Sequence, residues 1–196
     1  EYRESVDHIE CSIRKKSIHD NYLNSFKALG DVKIDLKSFF SKLSEYETHK
    51  NFTYSGPFIS ALIQKAYLNG TTNIKVNLKD VKKEIYGFGS HLKGTIEKPL
   101  NLTITGKNKL KYSLDKISNV NLKAAVKLED SLNYIKYCNL IFNKKATEYI
   151  GKKARDCDFV FNKSVDATVG NHANSCNFTF KKQTKGAICS NVRHSF

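Results

Sequence analysis

The chain has 196 residues, of which 40% are hydrophobic and 11% aromatic, and it carries a formal net charge of +14. This length is enough to bury one sizeable core, and the aromatic content excludes an intrinsically disordered chain. No apolar run approaches the ~20 residues that a membrane-spanning helix needs, so we expect no transmembrane segment.

The positive charge lies in one part of the chain. Residues 1–50 hold nine basic and nine acidic side chains, whereas residues 51–196 hold 24 and ten and carry the whole excess. Of the 33 basic residues, 29 are Lys. A Lys ammonium is a mobile point charge, which favours diffuse attraction to a polyanion over the reading of bases or single phosphates. An AT-rich genome would also favour Lys, and this explanation of the Lys excess stays open.

Helical periodicity dominates the first 70 residues. Apolar residues recur in steps of three and four over residues 6–29 and again over residues 36–46. A third apolar stripe begins after Pro57, a residue favoured in the first turn of a helix, and ends at Asn69-Gly70. The pattern predicts that residues 1–70 form a charge-neutral segment of two or three helices.

After Gly70 the apolar period changes from that of a helix to that of a strand. Apolar residues alternate with Lys, Asn and Thr over residues 73–79, 100–105, 109–114 and 120–124. Such alternation is typical of antiparallel strands with one buried face, and Lys on the exposed face also protects strand edges from association. We therefore expect an α+β fold in which the N-terminal helices pack on a long, basic, antiparallel β-rich region over residues 71–196. Both parts would form one structural domain.

A seven-residue pattern recurs in the last third of the chain. Its copies begin at Cys138, Cys157 and Cys176, 19 residues apart, and each carries an apolar residue at its third position, Phe at its fifth and Lys at its seventh. Cys and the two apolar positions are spaced by two, so they would share the buried face of a strand. The period suits a hairpin of two short strands. Helical steps over residues 128–149 also fit the first copy, and a helix is the alternative there.

Several features indicate a secreted glycoprotein. The chain begins at Glu1 without a Met, as expected after removal of a signal peptide. Sequons for N-glycosylation occur at Asn51, Asn69, Asn101, Asn162 and Asn177. The disulfide candidates are Cys11, Cys138, Cys157, Cys176 and Cys189. In an oxidising compartment we expect two bridges and one free thiol, whereas in the cytosol all five would be buried thiols.

The repeat restricts which cysteines can pair. Equivalent cysteines of successive hairpins would lie on alternate strands, about 10 Å apart and too far to bridge. We therefore expect Cys11 and Cys189 to be the partners of cysteines in the repeat. The count alone leaves the pairing open.

Local catalytic motifs are missing from the sequence. The six His and five Cys lack the spacing of zinc-binding and metalloprotease motifs, and neither a nucleotide-binding loop nor a serine-nucleophile elbow occurs. We expect a non-enzymatic protein with no catalytic residue, no metal and no cofactor. An enzyme whose site is assembled from distant residues is the alternative.

The basic clusters are the candidate binding residues. If the repeat is regular, Lys144, Lys163 and Lys182 are equivalent and form a row at one edge of the sheet. A row of amines suits a sulfated glycan, an anionic lipid surface or an acidic protein patch, and a solvated positive face is the alternative. No nucleic-acid-binding motif occurs, so we expect no sequence-specific nucleic-acid partner. The full set of candidates is Lys107, Lys109, Lys111, Lys144, Lys152, Lys153, Arg155, Lys163, Lys181, Lys182 and Lys185.

One stretch of the chain resembles a known family. The alternating residues 73–82, which lead to Tyr86-Gly87-Phe88, and residues 100–128 are similar to the arthropod takeout and juvenile-hormone-binding proteins and to the mite group 7 allergens. The match covers about a third of the chain and rests on pattern. The resemblance implies a tubular lipid-binding module with an apolar tunnel between a helix and a curved sheet. The leading hypothesis is a secreted protein that binds a polyanion through a basic β face, and the alternative is a carrier of a hydrophobic small molecule.

Overall fold

The computed structural model describes residues 32–35, 60, 63–64, 66–68, 70–78 and 84–187, and these form a parallel β-solenoid. Every pairing among the described strands is parallel. The strands are β1 (Val32–Asp35), β2 (Asn73–Asn77), β3 (Glu84–Tyr86), β4 (Leu100–Lys111), β5 (Val120–Ser131), β6 (Asn139–Phe142), β7 (Ala146–Ile150), β8 (Asp158–Phe161), β9 (Val165–Val169) and β10 (Asn177–Phe180).

Three ladders run along the solenoid. The front sheet has the order β1-β2-β4-β5-β6-β8-β10. The back sheet contains β3, the second halves of the long strands β4 and β5, and then β7 and β9. A third ladder, the turn side, consists of single bridges through Lys93, Ser118, Lys136, Arg155 and Asn174. Each coil therefore passes through the front sheet, the back sheet and the turn side before it reaches the next coil.

The antiparallel α+β arrangement predicted from the sequence is wrong, although the strand positions and buried faces agree with the structure. In β2, for example, Ile74 and Val76 are buried between exposed neighbours. Alternation identifies the buried face but does not reveal the direction of the neighbouring strand. Parallel neighbours need a long connection, and here the rest of each coil supplies it. The two strands of a 19-residue repeat therefore lie in different sheets and form no hairpin.

The N-terminal segment differs from the predicted set of helices. Residues 32–35 form strand β1, and the described helical residues are 60, 63–64 and 66–68, which lie inside the third predicted stripe. The helices expected over residues 6–29 and 36–46 lie outside the described residues. The first copy of the repeat forms strands β6 and β7, so the helical alternative over residues 128–149 is wrong.

The helical residues close the first described coil by hydrogen bonds to its backbone. Ile63 and Ala66 are buried. The amide of Gln64 accepts a hydrogen bond from the Lys93 N–H (2.8 Å) and donates one to the Lys93 carbonyl (3.1 Å). Gln64 thus satisfies the edge of the turn-side ladder as another strand would, and such edges are otherwise templates for association.

The corners of the coils place non-glycine residues in the left-handed region. One column contains Lys116, Tyr134 and Lys153, whose φ angles lie between 55° and 59°. Such conformations cost about 1–3 kcal/mol each and persist only where the surroundings hold them. Hydrogen bonds between coils do so here, because the Tyr134 N–H donates to the Lys152 carbonyl and the Lys153 N–H donates to the Asn171 carbonyl, both at 2.8 Å.

The interior is filled by columns of identical or similar apolar side chains. The rings of Phe142 and Phe161 stack with centroids 4.7 Å apart, and those of Phe159 and Phe178 stack at 4.8 Å. In earlier coils Leu takes the place of Phe159, and Ala124 and Ile104 take the place of Phe142. Because the coils pack their side chains directly on one another, the described interior is a continuous core.

Candidate functional site

A ladder of asparagine side chains runs along the outer surface of the front sheet. The amide of Asn101 donates to Asn73, that of Asn121 donates to Asn101, and that of Asn139 donates to Asn121, at 2.8–2.9 Å. The register explains the ladder, because these residues pair directly in neighbouring parallel strands. The sequence reasoning missed it. The recurrence of Asn at positions 101, 121 and 139 was the available signal, since it extends the coil period upstream of the cysteine repeat.

The ladder is interrupted at one position. Asp158 pairs with Asn139 in the register and accepts a hydrogen bond from the Asn177 amide at 2.7 Å. A carboxylate has no N–H, so Asp158 cannot donate to Asn139 as an asparagine would. The amide ladder is therefore continuous from Asn73 to Asn139 and is interrupted at Asp158.

A groove of about 300 Å³ lies beside the continuous part of the ladder. On its other side is a second outward row, in which Lys75, Thr103 and Lys123 pair in register. Both lysines are exposed and Thr103 is half-buried. Among the described residues, the lining holds these two lysines and no carboxylate. The sequence reasoning assigned no binding role to any of these three residues.

The structure places Lys144, Lys163 and Lys182 in one row at an edge of the front sheet. They follow β6, β8 and β10 at equivalent positions, because those strands pair residue for residue. All three are exposed, and none takes part in an ion pair with another described residue. The predicted position of this lysine row agrees with the register. Its binding role stays a prediction.

Two of the other candidate lysines are neutralised on the back sheet. The Lys109 ammonium lies 2.8 Å from a Glu129 carboxylate oxygen and 3.0 Å from one of Glu84, and Lys111 lies 2.7 Å from Glu129. Hydrogen bonds from both lysines hold the pKa of Glu129 below its usual value, and the Glu129 carboxylate in turn raises the pKa of Lys109. Two cations facing two carboxylates have no charge left for a polyanion.

The remaining candidates are spread over other parts of the surface. Lys107 is exposed in the irregular segment of β4, and Lys152, Lys153 and Arg155 lie on the turn side. Lys153 is placed over the Tyr134 ring, 5.4 Å from its centroid. Lys181 is exposed directly before Lys182, and Lys185 forms a backbone bridge with Asp166. The sequence clusters therefore do not form one continuous surface.

The three cysteines of the repeat are free buried thiols, which contradicts the prediction of disulfides for them. They directly precede β6, β8 and β10, which pair as direct neighbours, so successive cysteines are about 4.8 Å apart and not on alternate strands. Each thiol donates to the carbonyl two residues earlier, for example Cys157 to Arg155 at 3.0 Å. The neighbouring Cys138 thiol, together with burial, raises the pKa of Cys157 to about 12. Cys11 and Cys189 lie outside the described residues.

Three of the five sequons fall on described residues. Asn101 is part of the amide ladder, and Asn177 is exposed at the end of it. Asn162 is half-buried and donates to Asn143 at 2.8 Å. Asn51 and Asn69 lie outside the described residues. Glycosylation of any of these five stays a prediction.

The comparisons with known proteins add no relative. No family model, no curated protein and no solved structure matches this chain. Within the described part of the chain, no helix is long and apolar enough to cross a membrane. The same residues contain no group of three or more His, Cys, Asp or Glu that could hold a metal ion. The two rows of the front sheet and the lysine row are therefore the features from which a function can be argued.

Proposed function

We propose that the protein is a non-enzymatic binding protein that holds a linear anionic polymer, a sulfated glycan, along its front sheet. The observation that supports this most directly is the lysine row, which presents one exposed cation per coil. A linear polyanion carries charge at regular intervals along a line. A straight row of cations parallel to the solenoid axis is therefore complementary to it over several coils.

The energetics of the row also favour a bound anion. Equivalent residues in neighbouring strands are separated by about 4.8 Å, and like charges placed directly opposite each other destabilise a sheet. No described carboxylate pairs with Lys144, Lys163 or Lys182. Within the part of the chain that the structure describes, no carboxylate offsets this repulsion, whereas Lys109 and Lys111 have carboxylate partners. A polyanion would relieve the repulsion between the three lysines.

The shape of the row distinguishes among the partners that the charge allows. An anionic lipid surface would best fit a basic plane, and an acidic protein patch would best fit a basic patch. The row is a narrow line bordered by the polar face of the front sheet: of the exposed lysines next to it, Lys145 is paired with Asp166, and Lys181 lies beside Lys182 alone. A sulfated glycan belongs outside the cell, so the proposal includes the secreted location, with glycosylation at sequons other than Asn101, whose amide belongs to the ladder. The carrier alternative has no supporting observation, because the described interior is filled by packed side chains.

Heparin affinity tests the proposal. The variant K144Q/K163Q/K182Q removes the row, and K98Q/K116Q/K127Q removes the same charge from exposed lysines elsewhere. We expect only the row variant to elute at clearly lower salt. Its slope of log affinity against log salt should fall by about two, since each lost contact removes roughly 0.7 from such a slope. Equal loss in both variants would show attraction to net charge alone and would contradict the proposal.

A further inference from the structure

The asparagine ladder has unused hydrogen-bonding capacity beside the groove. Asn101 and Asn121 each donate one N–H to the preceding coil and accept one from the following coil. A primary amide has two N–H donors and an oxygen with two lone pairs. Each of these side chains therefore keeps one donor and one acceptor after the ladder is complete, and this pair repeats at every coil.

The opposite row of the groove adds charge to this hydrogen bonding. Lys75 and Lys123 stand on either side of Thr103, whose hydroxyl can donate and accept. No described carboxylate lines the groove. The groove therefore offers paired donors and acceptors on one side and two cations on the other, at the spacing of the coils.

Strand β6 connects the groove to the lysine row. Asn139 and Ile141 of β6 line the groove, and Lys144 follows the same strand. Lys144 lies three residues after Ile141, at most about 10 Å away. One extended chain can therefore cross from the groove to the row without leaving the front sheet.

We propose that this groove is a saccharide subsite, in which the sugar hydroxyls of the sulfated glycan bind the spare amide groups of Asn101 and Asn121. The inference rests on the proposed function and extends it, because the protein would recognise the sugar rings and not the charge alone. Sugar hydroxyls both donate and accept, as the amides do, and an extended chain of sugar rings presents them at every ring. Lys123 holds a sulfate of the same segment.

The test uses a variant whose side chain fills the groove, and it compares the binding of two polyanions. Thr103→Phe puts a ring into the groove, and Thr105→Phe puts the same ring on the same strand, two residues on and outside the groove lining. The probes are heparin, which carries sugar hydroxyls, and inorganic polyphosphate, which carries none. Titrations use unglycosylated protein from bacteria, because Asn101 begins a sequon that Thr103→Phe removes.

We expect Thr103→Phe to weaken heparin binding about fivefold or more, the equivalent of one or two lost hydrogen bonds, and to leave polyphosphate binding within about twofold. Thr105→Phe should change neither. If the Phe variant folds poorly, the heparin affinity of Lys123→Gln is compared with that of Lys127→Gln on the same strand. We expect only Lys123→Gln to weaken heparin binding. Equal effects of Thr103→Phe on both probes, or none on heparin, would overturn the subsite.

The lysine-row variant separates this inference from the proposed function. If K144Q/K163Q/K182Q weakens the binding of both polyanions while the groove variants change neither, only the saccharide subsite is wrong. If the row variant leaves heparin binding unchanged, the proposed function itself is wrong. Circular dichroism of every variant shows whether the solenoid is intact.

Discussion

Gly151 lies against the ring of Phe159, and a Cβ atom on Gly151 would come within 2.8 Å of the Cζ atom of that ring. Gly151 occupies a corner of the solenoid with a φ of +72°, and Phe159 is fully buried in the following strand of the front sheet. The next coil repeats the relationship with Gly170 and Phe178. The side chains at the corner and at the strand position therefore compete for the same space in the interior.

The two preceding coils fill this volume with Leu side chains at both places. There the corner residues are Leu114 and Leu132, also in the left-handed region, with φ of 59° and 65°. The residues that pair in register with Phe159 and Phe178 are Leu122 and Leu140. Two of the described coils therefore have Leu at both places, and the next two have Gly at the corner and Phe in the strand, so the larger ring takes up part of the space that the corner side chain leaves.

The first prediction is that Gly151→Leu and Phe159→Leu compensate each other. Gly151→Leu alone should destabilise by about 1–3 kcal/mol through overpacking, and Phe159→Leu alone should leave a cavity that costs a similar amount. The double variant should be more stable than either single variant, since it reproduces the Leu132 and Leu140 pair of the neighbouring coil. Urea unfolding of the four proteins measures the coupling free energy. Additive losses would show that the two positions do not share a volume.

The second prediction concerns the break in the asparagine ladder. Asp158→Asn supplies the missing N–H toward Asn139, so we expect a gain of about 0.5 kcal/mol and a midpoint of thermal unfolding higher by roughly 1–2 °C. Asp156→Asn is the matched control, because Asp156 is also exposed but lies at a corner beyond the ladder. An equal gain in the control would show that the effect comes from the removal of a carboxylate and not from the ladder.

The sequence shows how far periodicity can predict this fold. The alternation of Leu100, Leu102 and Ile104 correctly identified a strand and its buried face. It could not identify parallel pairing, because a parallel strand with one exposed face has the same period as an antiparallel one. The 19-residue repeat is equally compatible with a hairpin and with a coil. The groove was missed for the same reason, since Lys75, Thr103 and Lys123 meet only when neighbouring strands are parallel and in register.

The third prediction is that the thiols of Cys138, Cys157 and Cys176 react slowly in the folded protein. All three are buried, and the raised pKa of Cys157 keeps it in the unreactive thiol form at neutral pH. Alkylation followed by peptide mapping should label them only after unfolding in urea. The variant Ser164→Cys provides an exposed thiol in the same coil as a positive control. A bridge between any two of the three in a non-reducing map would contradict the packing described above.

The fourth prediction is that the Glu129 cluster stabilises the protein in a pH-dependent way. Hydrogen bonds from Lys109 and Lys111 lower the pKa of Glu129 below 4.5 in the folded state. A carboxylate whose pKa is lower in the folded state than in the unfolded state contributes its full stabilisation of the fold above the unfolded-state pKa. This contribution is lost as the pH falls through the folded-state pKa. Glu129→Gln should therefore lower the midpoint of thermal unfolding at pH 7, and the difference from the wild-type protein should shrink below pH 4.5 and vanish in stronger acid.

The control is Glu97→Gln, because Glu97 is exposed and has no ion pair among the described residues. This variant should show no such convergence with the wild-type protein. A difference that stays constant from pH 7 into strong acid would show that Glu129 acts through packing and not through its charge.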